Sequence, residues 1–142
     1  MTAKQYLKQY QNALNEIRCK EAERQSILDK ATNISPALEG GTPTAGNVTD
    51  KTGRGAVNIA DIDSQIEAEQ ARLKQVLASI RHTISQVSDS AERQVLTYHY
   101  ICGYTWEQTS VEMAYSYNHI VANLHPSALR KVTNIIRKAG IE

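Results

Sequence analysis

The chain has 142 residues with sixteen Lys and Arg against fifteen Asp and Glu, so composition supplies no polybasic surface, and any nucleic-acid affinity rests on local placement. This length bounds it to one domain, or a small domain with a helical appendage, burying a modest core. No apolar run approaches the roughly 20 residues that cross a bilayer, which excludes the membrane class. The cysteines, Cys19 and Cys102, stand in different predicted helices without metal-ligand spacing, and nothing at the N-terminus resembles a signal peptide. Reduced thiols and a cytoplasmic location are expected.

From about Ala3 to Ala31 the sequence is polar, rich in Gln, Glu, Lys and Ala, and free of Gly and Pro, which predicts a long helix. Leu7, Tyr10, Leu14, Ile17, Leu28 and Ala31 form a seam that Glu21 and Arg24 interrupt. Those two pair either with each other or across a partner helix, and the interruption predicts a helix that needs a partner. Thr32 to Asn58 holds five of the seven glycines and two of the three prolines and is expected to be a flexible linker. No GxxxxGK[ST] pattern makes its glycines a phosphate loop. From about Ile59 to Val87 a second long helix is signalled by Ile62, Ile66, Leu73, Val76, Ile80 and Ile84. Asp61 and Asp63 suit its first turn, and Arg81 and His82 suit its last. The two helices are expected to form an antiparallel hairpin over residues 1–87 that packs on the C-terminal region or self-associates into a homo-oligomer.

Residues 88–142 carry different punctuation. Ser90 is a candidate cap for a helix bearing Val95, Leu96, Tyr98 and Ile101, which Gly103 ends. Thr105 offers a hydroxyl to a second helix with Trp106, Thr109 and Met113 on one face. Ser116 caps a third, whose buried stripe is Ile120, Val121 and Leu124. Ala114 stands where glycine turns most easily. Pro126 is expected to kink the third helix, with a fresh one beginning near Ser127. The expectation is an all-α protein: a long antiparallel hairpin followed by a helix-turn-helix, the geometry that lays a second helix in a DNA major groove.

The run ERQVLTYHYICGYTWEQTSVEMAYS, followed by VANLHPSAL, resembles the region-four helix-turn-helix of sigma-70 factors. It is similar, more closely, to small phage-encoded transcription regulators of Gram-positive bacteria, the late-gene activators of the RinA and ArpU type. The positions that carry the resemblance are Tyr100-Ile101 before Gly103, Thr105-Trp106-Glu107, Met113, Tyr115-Ser116, Leu124-His125 and Ala128-Leu129, within about 45 of the 142 residues. It implies a phage or prophage transcription regulator in a bacterial host, with double-stranded DNA and host RNA polymerase as partners.

In that arrangement Tyr117, Asn118, His119, Ala122 and Asn123 are free to meet base edges or phosphates, with Asn able to pair bidentately with adenine. Ser116 and Thr105 place helix N-termini near the DNA backbone, and Arg130 and Lys131 supply phosphate charge. Residues 88–142 hold five basic against five acidic side chains, so a lone copy binds weakly unless dimerisation or polymerase contact assists. An enzyme is not expected. His82, His99, His119 and His125 are scattered, His99 and Cys102 lack a second pair to complete a metal site, and no cofactor is implied. The alternatives are a DNA-packaging protein of the small terminase type, with an oligomerising hairpin, and an interaction module without a nucleic-acid role.

Overall fold

Thr2 opens the first helix with a reciprocal cap: its hydroxyl accepts from the Gln5 N–H at 3.1 Å, and the Gln5 side chain accepts from the Thr2 N–H at 2.8 Å. The structure is a computed structural model that describes residues 1–38 and 45–141, with side chains described outside 33–38 and 45–58. Helix α1 spans Ala3–Leu38 and α2 spans Ala45–Ser85, and among the described residues every regular element is helical.

Both helices outrun the sequence reading. The linker expected at 32–58 is helical over 32–38 and 45–58, and residues 39–44 lie outside the described residues. Propagation adds one hydrogen bond per residue fixed, so an established helix absorbs a glycine at a cost of about 1 kcal/mol without stopping. Asp61 and Asp63 therefore lie inside α2, not in its first turn.

Contacts divide the chain into two compact units, Met1–Ala13 with Leu73–Glu142 and Leu14–Arg72. This differs from the boundary at residues 87 and 88 drawn from the sequence, because apolar burial ties the ends of α1 and α2 to the C-terminal helices. One cluster joins Ala3, Tyr6 and Leu7 of α1, Ile80 and Ile84 of α2, and Val87 to Leu96, Tyr100, Ala128, Val132 and Ile136. Each large side chain so buried contributes about 1.5–3 kcal/mol. The Tyr6 hydroxyl, carried into this layer, is satisfied by Ser79 at 2.6 Å and Thr83 at 2.9 Å. In the second unit, Lys20 donates to Gln65 at 2.9 Å and Arg24 pairs with Asp63, so α1 and α2 run antiparallel there. Of the two pairings open to Arg24, the cross-helix one is adopted.

The C-terminal elements are short and individually capped. Helix α3, Ser90–Leu96, is capped by Asp89 instead of Ser90: the Asp89 carboxylate accepts from the N–H groups of Ala91 at 2.8 Å and Glu92 at 3.3 Å. It continues into a wider turn, Thr97–Ile101, closed by the Cys102 N–H on the Thr97 carbonyl at 2.9 Å. Gly103 then ends it with φ +75°, as its position predicts. Helix α4 is Trp106–Met113 and α5 is Tyr117–His119. A second wide turn, Ile120–Leu124, leads without a break into α6, His125–Lys138. Pro126 does not start a fresh helix at Ser127. Its ring would crowd the Ala122 carbonyl in a regular turn, and the extra residue in the wide turn just before it gives that carbonyl room.

Candidate nucleic-acid interface

The turn between α4 and α5 sets how the candidate recognition face is presented. Ala114 takes the left-handed conformation at φ 56° and ψ 34°, a conformation that costs a residue with a Cβ roughly 1–2 kcal/mol. Two serines fasten the turn: Ser110 donates to the Tyr115 carbonyl at 2.6 Å, and Ser116 accepts from the His119 N–H at 3.1 Å. Ser116 is thus the cap that its position predicts. Ser110 carries no such signal, because its partner lies across the turn.

Beyond Ser116, fully buried Ile120 anchors the inner side of the helix, with Val121 and Leu124 half-buried beside it. The outer side presents Tyr117, 47% exposed, with Asn118, Ala122 and Asn123, all exposed. His119 is half-buried: Tyr115 meets its ring edge-on at 5.4 Å, and its Nδ1 lies 3.1 Å from the Asn123 amide. Four of the five candidate base-reading residues therefore share an open face, and the fifth props one of them.

Thr105 caps α4 as expected and does so reciprocally with Gln108, at 3.1 and 2.9 Å. Its oxygen accepts, so its hydroxyl hydrogen stays available to a phosphate, and Ser116 has the same freedom. Fully buried Thr109 satisfies its hydroxyl by donating back to the Thr105 carbonyl at 2.9 Å.

The two candidate phosphate cations part company. Arg130 is exposed. Lys131 instead lies 2.7 Å from Oε2 of Glu92, whose side chain is 4% exposed, while Ser127 donates to Oε1 at 2.6 Å. Oε2 receives no aligned hydrogen bond, so its burial is compensated by the charge of Lys131 alone. Lys131 is tied to the packing between α3 and α6, so part of its charge is engaged by Glu92 while its side chain stays 41% exposed.

An aromatic cluster forms at the start of α4. His99 stacks on half-buried Trp106 at 3.6 Å, and its Nδ1 meets the Tyr104 carbonyl at 2.8 Å. The Tyr100 hydroxyl shares a 2.7 Å hydrogen bond with His125 Nε2, and Trp106 leans on His125 at 4.4 Å. Burial, with smaller contributions from His99 and Lys4, pushes His125 down to about 4, and burial pushes the Tyr100 phenol up to about 12. His99 is also lowered, chiefly by burial and partly by Lys8 and Lys4. At neutral pH the cluster is uncharged, and it clamps the start of α4 to the wide turn before it and to α6. Among the described residues no three His, Cys, Asp or Glu side chains gather as ion ligands, and no helix is long and apolar enough to cross a membrane.

Charge is distributed unevenly. The unit containing the candidate face holds nine Lys and Arg against five Asp and Glu, net +4, and residues 14–72 hold seven against ten, net −3. The surplus comes from Lys4, Lys8, Lys74 and Arg81, outside the neutral stretch 88–142. Compared with protein-family models, with curated proteins and with solved structures, the chain has no match.

Proposed function

We propose that the chain is a sequence-specific DNA-binding transcription regulator of phage origin that acts with host RNA polymerase. Helices α4 and α5 to α6 serve as a helix-turn-helix of the sigma region-four kind, and α1 with α2 as the helical hairpin that carries it. The observation that bears most weight is the outer side of the third helix. Asn118, Ala122 and Asn123 stand exposed on a helix held from behind by Ile120, and two capped helix starts carry free hydroxyl hydrogens. Asparagine amides on such a face pair with adenine, Ala122 suits a thymine methyl, and the two starts suit flanking phosphates. A unit charge of +4 supports binding by counterion release better than the neutral C-terminal stretch alone. The polymerase partner rests on the sequence resemblance.

The test is selection of preferred duplexes from a randomised pool, followed by titration of the Asn118→Ala, Asn123→Ala double variant. Each bidentate pair discriminates by about 1–3 kcal/mol, so preference for the selected duplex should fall at least tenfold while binding to random duplex is kept. An intact chain that selects no sequence would sink the proposal.

A further inference from the structure

Lys4 and Lys8 sit one helical turn apart on α1, both exposed, and neither belongs to an ion pair among the described residues. Their helix is held in place by Ala3, Tyr6 and Leu7, all buried in the core that also holds Tyr100 and Val132. The basic side chains are therefore mounted on a rigid support. Lys8 lines a cleft with Gln11, His99, Gly103 and Tyr104, directly before the Thr105 cap of α4. Gln11 fixes that register by donating to the carbonyls of Tyr100 at 3.3 Å and Ile101 at 3.0 Å. Lys4, one turn earlier on the same exposed side of α1, extends the positive charge from that cleft.

We propose that Lys4 and Lys8 form a phosphate-binding ridge that extends the DNA interface along the flank of α4. This rests on the DNA-binding reading above. In a helix-turn-helix the first helix crosses the sugar-phosphate backbone, so cations beside its start meet phosphates, not bases. The ridge takes over the charge that Lys131 spends on Glu92. It contributes affinity irrespective of sequence, and the strand it grips is the one running past Thr105.

The full chain is titrated with a mixed-sequence duplex between about 50 and about 200 mM salt, as the parent and as the Lys4→Gln, Lys8→Gln variant. Each phosphate neutralised contributes about 0.9 to the slope of log affinity against log salt. The variant should therefore lose about 1.8 of slope, making the parent's salt sensitivity about 12-fold greater across that range. Lys4→Arg, Lys8→Arg should restore it, and Lys30→Gln, an exposed lysine in the other unit, should leave it unchanged. An unchanged slope in the double Gln variant, or an equal loss in Lys30→Gln, overturns the ridge and leaves the DNA-binding reading standing. An intact chain that fails to bind duplex at the lowest salt overturns both.

Discussion

Residues 3–13 of α1 carry Ala3, Tyr6 and Leu7 into a cluster shared with four other segments. Residues 14–32 of the same helix bury Ile17 and half-bury Leu14, Ile27 and Leu28 in a unit where α2 buries Ile62, and they add Lys20 on Gln65 and Arg24 on Asp63. One continuous helix thus meets a broad apolar cluster in the first unit and a thinner apolar seam, supplemented by polar pairs, in the second. Apolar burial in the first unit is worth a few kcal/mol per large side chain, whereas a part-exposed ion pair such as Arg24 with Asp63 is worth about 0–1 kcal/mol. The difference teaches where order is concentrated: the C-terminal helices supply the ends of α1 and α2 with more fully buried side chains than Ile17 and Ile62 supply to residues 14–72. Stability is then graded along each helix.

The largest expected effect tests that grading directly. Leu96 is fully buried, and Leu96→Ala should cost about 2–5 kcal/mol in denaturant unfolding, with Ile17→Ala in the second unit near about 2 kcal/mol. Equal losses at the two positions would break the comparison.

A pH titration sharpens it. The unfolded chain protonates His125 near 6.5, while the folded chain keeps it neutral down to about 4. Stability from this group is full above pH 6.5 and lost as pH falls through that window, by about 3 kcal/mol at pH 4. Hydrogen exchange should show protection falling first in α3, α6 and the start of α1. A decline that begins in residues 14–32 would place the weak point in the other unit.

The smallest effect concerns the turn at Ala114. With φ at 56°, Ala114→Gly should relieve strain and raise stability by about 1 kcal/mol, read as an upward shift in thermal midpoint. A destabilised variant would mean that the methyl group holds the turn, and that the candidate face is set by packing instead of by the two serine bonds.

Much of the local punctuation was legible. Thr105 and Ser116 are caps, Gly103 is left-handed, and Ile120 is the deepest anchor of the third helix, as hydroxyl placement and 3–4 spacing predict. The errors are also local, but each involves competition. Asp89 outdoes Ser90 because its carboxylate reaches two N–H groups, and helix propagation carries α1 and α2 into a stretch whose composition favours turns. Pro126 is absorbed by a change of hydrogen-bond register that no propensity describes.

The sequence by itself determined the caps at Thr105 and Ser116, the left-handed turn at Gly103 and the exposure of Tyr117, Asn118, Ala122 and Asn123, because those outcomes depend on hydrogen bonds and periodicities spanning a few residues. Only the tertiary structure decided that Lys131 neutralises Glu92, that Tyr100 meets His125, and that Lys8 lines a cleft with Gly103 and Tyr104 just before α4. Those pairings join segments far apart in the chain. Burial decides them, since a carboxylate or imidazole taken out of water must find its partner wherever the packed helices place one.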